Sequence, residues 1–233
     1  MAFLLDIEGT TTPIDFVHKV LFPYAREHVG GFVRDHLAEL SPEIIALKKE
    51  AETDIESGSY EGLFDPGSPD SVSSYLEFLI DNDRKSTPLK SIQGMVWKHG
   101  YESGELVSQI FADVPLAFER WSAEGETVAI YSSGSALAQV LLFRHTDHGD
   151  LTRFIDDYFD TNIGHKREKA SYAAIASRLH SGPSEVVFVS DVDAELDAAR
   201  GAGMQTRLSL REGNPPQANE QGHPVIRSLE EIF

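Results

Sequence analysis

Three short apolar runs, each stopped by a polar or acidic loop and followed by helix-like sequence, restrict this chain to very few architectures. Phe3-Leu4-Leu5 ends at Asp6 and leads into Gly9-Thr10-Thr11-Thr12-Pro13. Thr127-Val128-Ala129-Ile130-Tyr131 leads into Ser132-Ser133-Gly134-Ser135, and Val186-Val187-Phe188-Val189 leads into Ser190-Asp191. Strands that are apolar on both faces must be covered on both faces, the condition of a parallel sheet between helical layers. Residues 136–144 and 169–179 have apolar side chains at helical spacing, and 194–202 reads as an Ala-rich helix that Gly203 can end. In open α/β sheets the ligand sits beyond the carboxyl ends of the strands, so Asp6, Ser132, Ser133 and Asp191 are expected to converge.

Residues 15–101 have another character, with helical segments and no strand-like run. Phe16, Val20 and Tyr24 fall at i, i+4, i+8. Ser41-Pro42 reads as an N-cap with proline at the first helical position, and Tyr75, Leu76, Leu79 and Ile80 form an apolar stripe. The expected organisation is α/β: a Rossmann-like parallel-sheet core from residues 1–14 and 105–233, with a helical cap inserted at 15–104. Residues 211–224, rich in Gly, Pro, Asn and Gln, are expected to form a surface loop before a last strand at Val225-Ile226.

Composition narrows the function. With 41% hydrophobic and 25% charged residues, the 233-residue chain can bury a sizeable core. A net charge of −18 repels nucleic-acid backbones and anionic membrane surfaces, so neither is expected as a partner. The absence of cysteine excludes disulfides, thiolate metal sites and cysteine nucleophiles. The N-terminal apolar run is too short for a signal peptide and no apolar stretch is long enough to span a bilayer. The expectation is a cytoplasmic monomer acting on a small molecule.

Asp6-Ile7-Glu8 puts two carboxylates two residues apart at a strand end. There one can serve as nucleophile or metal ligand and the other as proton carrier, although acidic residues at such an edge are often merely solvated. The order of the other pieces favours chemistry. Downstream come Ser132-Ser133-Gly134, an isolated lysine in Gly164-His165-Lys166, and Ser190-Asp191-Val192-Asp193-Ala194-Glu195. Four motifs in this order resemble the haloacid dehalogenase superfamily of phosphotransferases. That superfamily usually has Asp-x-Asp in its first motif, where this chain has Asp6-x-Glu8. The first motif, together with Tyr131 to Ser135, Gly164 to Lys166, Asp83 to Lys90, Gln93-Gly94 and Trp97, is similar to the enolase-phosphatase (acireductone synthase) family of methionine salvage over nearly the whole chain.

The resemblance implies Asp6 as the nucleophile, Glu8 as acid and base, Ser132, Ser133 and Lys166 as phosphate-binding groups, and a Mg²⁺ ion. Asp6, Asp191 and the main-chain carbonyl of Glu8 would hold the metal. Glu195 would orient Lys166 or a metal-bound water, with Asp193 capping a helix or solvated. The implied substrate is 2,3-diketo-5-methylthiopentyl 1-phosphate, enolised and then hydrolysed through an aspartyl phosphate, with Glu8 or a cap side chain as the enolisation base. In the cap, Arg84 and Lys90 are candidate substrate contacts or part of an exposed charged turn, and Trp97 is assigned to the cap core. The alternative is a Mg²⁺-dependent phosphatase acting on another small ester. His145 and His148 lack a nearby third ligand, which argues against zinc. Ser132 and Ser133 lack a Gly-x-Ser-x-Gly elbow, which argues against a serine hydrolase.

Overall fold

The structure is a computed structural model that describes residues 1–219 and 222–232. Along the chain run β1 (Ala2–Leu5), a single turn α1 (Ile14–Phe16), a π-helical turn (Val17–Leu21), α2 (Phe22–His36), α3 (Ser41–Glu56), α4 (Pro69–Asp81), α5 (Thr87–Ser103), α6 (Asp113–Ala123), β2 (Thr127–Tyr131), α7 (Ala136–Arg144), β3 (Asp157–Phe159), α8 (Lys169–Arg178), β4 (Val186–Ser190), α9 (Asp193–Gly201), β5 (Gln205–Ser209) and β6 (Val225–Ile226). They divide into an α/β unit, Met1–Val17 with Val107–Phe233, and a helical unit, His18–Leu106.

In the α/β unit the strands are all parallel, in the order β3-β2-β1-β4-β5-β6. Ala2, Leu4, Leu5 and the whole run from Val186 to Val189 are fully buried, as uniformly apolar strands between two helical layers must be. Each leucine, valine or phenylalanine among them contributes on the order of 1.5–3 kcal/mol by leaving water. Leu4 belongs to a cluster with Tyr131, Tyr172 and Phe188, and Phe3 stacks on Trp121 of α6 with ring centroids 3.9 Å apart. Leu5 pairs with Ile130 on one side and Val189 on the other. Asp6, Ser132 and Asp191 therefore leave the sheet at the same edge, where the strand order reverses between β1 and β4.

Strands β3 and β5 do not stand out in the sequence because neither is an apolar run. β5, Gln205-Thr206-Arg207-Leu208-Ser209, is polar yet paired on both sides. Its hydroxyls are satisfied inside the fold, Thr206 Oγ1 by His223 Nδ1 at 2.8 Å and Ser209 Oγ by donating to Gly9 O at 3.1 Å. The expected surface loop at 211–224 is corrected in part. The side chains of Arg211 and His223 are 6% and 0% exposed, because each finds buried hydrogen-bond partners; residues 220 and 221 lie outside the described set.

The helical unit builds its own core. Leu21 at the end of the π turn and Ala25, Val29 and Val33 of α2 repeat every fourth residue and are all buried, and α2 packs against α4 and α5. Val20 is 38% exposed, contrary to the spacing read from Phe16, because the i→i+5 bonding of the π turn shifts the helical phase. On α4, Val72, Tyr75, Leu76 and Leu79 face inward, with Ile80 half-buried. Ser41 is not the N-cap of α3. It lies inside the first turn and donates to Ala38 O at 2.8 Å, whereas Ser68 and Ser86 do cap α4 and α5, accepting from Ser71 N and Leu89 N. Trp97 is core, its Nε1 donating to Leu21 O at 2.9 Å. Among the described residues no helix is long and apolar enough to cross a membrane.

This packing predicts a sharp contrast between two truncations. Leu4→Ala, in the central strand, should lower the unfolding free energy by about 2–5 kcal/mol. Ile45→Ala, at a position 72% exposed on α3, should stay within about 0.5 kcal/mol of wild type. Urea unfolding followed by far-ultraviolet circular dichroism measures both.

Candidate active site

The first loop is a tight turn closed on itself. Asp6 N–H donates to Val189 O at 3.0 Å, extending the β1–β4 ladder by one residue. The Asp6 side chain is fixed at once, since its Oδ1 accepts from Ile7 N–H at 2.8 Å. The N–H groups of Thr10, Thr11 and Thr12 then converge on Ile7 O at 3.2, 2.9 and 2.9 Å, and Gly9 N–H donates to Thr12 O at 2.8 Å. Gly9 has φ +67°, and a β-carbon there would lie 2.5 Å from Asp191 Oδ2. Both the conformation and the space admit only glycine, and the missing side chain lets the turn and the Asp191 carboxylate approach.

Lys166 arrives from the loop after β3. Its Nζ lies 2.6 Å from Asp6 Oδ1 and 2.6 Å from Glu195 Oε2, in a side chain only 10% exposed. Three hydroxyls pin its backbone. Tyr131 OH donates to Gly164 O at 2.9 Å, Ser171 Oγ to His165 O at 2.8 Å, and Tyr172 OH to Lys166 O at 2.6 Å. Ser190, at the end of β4, completes the cluster. Its hydroxyl is 3.2 Å from Asp6 Oδ2 and 3.0 Å from Glu195 Oε2, one proton facing two carboxylates, while it accepts from Val192 N–H at 3.2 Å.

Asp6 and Glu195 thus clasp a single ammonium group, with the Asp191 carboxylate against Gly9 of the same turn as Asp6. Burial and then the charges of Asp6 and Glu195 push the Asp191 carboxyl up to about 7, against the pull of Lys166. Burial and the Asp6 charge likewise raise Glu195, although Lys166 and Ser190 oppose them. For Lys166, burial disfavours the ammonium form, but Asp6 and Glu195 outweigh it and hold the group above the ordinary lysine value. Lysine stays charged here at any physiological pH.

The expected residues fall into three groups. Asp6, Lys166 and Glu195 meet, Asp191 lies against Gly9 of the first loop, and Glu8, half-buried, sits in the turn between Asp6 and Gly9 with a bridge to Thr12. Ser132 and Ser133 lie at the same sheet edge, ahead of α7. Ser132 Oγ accepts from Gly134 N–H at 3.2 Å, which leaves its own proton to donate, and Ser133 is exposed. Arg84 and Lys90 belong to the helical unit. Arg84 donates to the buried carboxylate of Asp54 at 2.9 Å, which also accepts from Tyr75 OH at 2.7 Å; Lys90 is exposed on the first turn of α5. Asp193 begins α9, and its carboxylate accepts from Asn219 N–H. Among the described residues no three His, Asp or Glu side chains are grouped as metal ligands, His145 and His148 included. Sequence reasoning missed Ser190 as a bridge and the tyrosine hydroxyls as braces. It also missed Gln139, whose Nε2 donates to Gly134 O and Phe159 O at 2.8 Å and so fixes the serine loop. The available signal was a hydroxyl or amide within otherwise apolar segments.

Known proteins resemble this chain in sequence and fold. The haloacid dehalogenase-like hydrolase family matches residues 1–203. A curated relative named enolase-phosphatase E1 from Synechococcus elongatus is 53% identical over 213 residues, 91% of this chain and 89% of its own. Proteins of the same name from Leptospira borgpetersenii and Drosophila melanogaster are 46% and 43% identical, over 98% and 94% of this chain and 96% and 86% of theirs. The crystal structure of the UTR4 protein of Saccharomyces cerevisiae has a TM-score of 0.77 at 34% identity, covering 99% of both chains. CbbY from Rhodobacter sphaeroides, solved in complex with phosphate, has a TM-score of 0.61 at 13% identity over 99% of this chain and 95% of its own, a likeness of fold alone. With a lysine clasped between the carboxylates of the first and last motifs, and with relatives of one name along nearly its whole length, the chain belongs to the enolase-phosphatases of the haloacid dehalogenase-like hydrolases.

Proposed function

We propose that this enolase-phosphatase acts on 2,3-diketo-5-methylthiopentyl 1-phosphate, enolising it and then hydrolysing the phosphate through an aspartyl phosphate on Asp6. The observation that supports this most is the immobilised Asp6 carboxylate, held by Ile7 N–H and Lys166 Nζ at the point where the strand order reverses. A nucleophile so fixed needs little reorganisation to meet a phosphorus atom. Enolisation removes a proton from the carbon bearing the phosphate, and the electron pair forms the double bond to the neighbouring carbon, whose carbonyl oxygen becomes a hydroxyl. An Asp6 oxygen then attacks phosphorus, the ester P–O bond breaks, and the departing oxygen takes the proton carried by Glu8. Water next attacks the phosphorus of the aspartyl phosphate, giving its proton to Glu8. Inorganic phosphate leaves, Asp6 is restored, and the acireductone 1,2-dihydroxy-3-keto-5-methylthiopentene is released.

Ser132 and Ser133 are assigned to the phosphoryl oxygens, beside the N-terminus of α7, whose partial positive charge favours an anion. Lys166 adds a fixed positive charge and is itself oriented by Glu195. The donor set suits a hard divalent cation. Asp6 and Asp191 offer carboxylate oxygens, and burial together with the charges of Asp6 and Glu195 makes a bare Asp191 carboxylate costly, a cost that a divalent cation would relieve. Mg²⁺ would be held by Asp6, Asp191 and the main-chain carbonyl of Glu8 and would supply neutralisation of the phosphoryl charge.

The test follows enol absorbance and released phosphate separately during incubation with the diketone phosphate. Enol absorbance should rise first and phosphate should follow, the enol surviving in the acireductone; phosphate without an enol signal would point to a plain phosphatase. Asp6→Asn should reduce phosphate release to background, because an amide cannot form the aspartyl phosphate; appreciable remaining turnover would remove Asp6 as nucleophile. Chelation with EDTA should stop phosphate release and added Mg²⁺ restore it, whereas full activity in metal-free buffer would argue against the metal.

A further inference from the structure

The turn that carries Glu8 is held from behind by residues with no part in the scheme above. Gly9 O accepts from Asn214 Nδ2 at 2.9 Å and from Ser209 Oγ at 3.1 Å. Thr10 O accepts from Arg211 Nε at 3.2 Å and Nη2 at 3.1 Å, and Thr11 O from Phe111 N–H at 3.1 Å. Every carbonyl from Gly9 to Thr11 is therefore tied to a neighbouring segment. Arg211 is the most heavily invested partner. Its guanidinium lies over the Phe111 ring, 4.6 Å from the centroid, and forms a two-pronged pair with Asp113 at 3.1 and 2.8 Å. Asp113 in turn accepts from Leu229 N–H at 2.6 Å.

A buried ion pair of this kind adds little net stability over an apolar replacement, and its best-attested use is to specify one geometry among several. What it specifies here is the backbone two residues beyond Glu8. The task needs a guanidinium, since only a planar fork can grip a carboxylate with one edge and a carbonyl with the other.

We propose that Arg211, assisted by Asn214, is a positioning residue that aims the Glu8 carboxylate by fixing the carbonyls of Thr10 and Gly9. The inference rests on the reading of Glu8 as the proton carrier. It predicts a defect confined to steps that need that proton. Because kcat/KM reports events up to phosphoenzyme formation, two monoesters separate the cases. The oxygen of p-nitrophenyl phosphate departs without an acid, whereas that of n-propyl phosphate must be protonated as it leaves.

Arg211→Lys and Asn214→Ala should each lose about tenfold or more in kcat/KM on n-propyl phosphate and no more than about threefold on p-nitrophenyl phosphate. Glu8→Gln should show the same split, larger. Equal losses on both esters in the two variants, or none on the alkyl ester, while Glu8→Gln does split them, would overturn the positioning role alone. No split in Glu8→Gln would overturn the reading of Glu8 and this inference with it. Should Arg211→Lys fail to fold, Asn214→Ala decides the matter, because it reaches the same turn through Gly9 O and leaves the Arg211–Asp113 pair in place.

Discussion

A buried ammonium group organises the candidate active site. Taking a lysine out of water costs several kcal/mol, and the cost is met only where opposite charges and hydrogen bonds stand ready in fixed places. Lys166 finds them in Asp6, just after β1, and Glu195, in α9, and Ser190 ties those two carboxylates together. The same requirement reaches into the apolar core. Tyr131 of β2 and Tyr172 of α8 meet edge to face with centroids 5.6 Å apart, both buried, yet both spend their hydroxyls on the backbone that presents the lysine. Core packing and site geometry are therefore one system, and loosening either aromatic ring would loosen the charge cluster.

The helical unit solves a similar problem independently. Asp54 is a buried carboxylate, and Tyr75 and Arg84 supply the hydrogen bonds that keep its group below the usual carboxylate range in spite of burial. Arg84 thus has a structural occupation of its own within the helices. The cations of the segment from Asp83 to Lys90 are not equivalent, since Lys85 pairs with Asp83 at 2.9 Å while Lys90 stands on an exposed face of α5.

How much of this could be read in the sequence follows from where each signal resides. Asp6, Ser132 and Asp191 were legible because each ends an apolar run, and such a run means a doubly covered strand whose carboxyl end faces a ligand site. Lys166 was legible through its place in the motif order. Ser190 as a bridge was not, because its role exists only once β1 and β4 pair, and a serine closing an apolar run looks like ordinary punctuation. β5 escaped for the opposite reason, its polar residues being satisfied by partners such as His223 and Gly9 that are distant in the chain. Arg211 sits in a stretch whose Gly, Pro and Asn content signals a solvated loop, and no local pattern reveals that its guanidinium is enclosed between Phe111 and Asp113. The π turn at Val17–Leu21 shows the limit of periodicity itself, since one extra residue in a turn moves Val20 from the expected inner face to solvent.

The first strand of the chain lies in the interior of the sheet. β1 is flanked by β2 and β4, so its two ladders close with partners whose pairing begins at Thr127 and Val186. During synthesis on a ribosome this strand must wait with both edges open until β2 has emerged and with one edge open until β4 follows, whereas the helical unit is an uninterrupted segment, His18–Leu106, that can gather its core meanwhile. Such long-range pairing is slow, because loop closure must come before any contact rewards it. A nascent chain halted before β4 lacks Ser190, Asp191 and Glu195 and has only one neighbour for β1. Phosphate chemistry and protection of that exposed edge therefore arrive together, late in translation, when the last of the apolar runs joins the first.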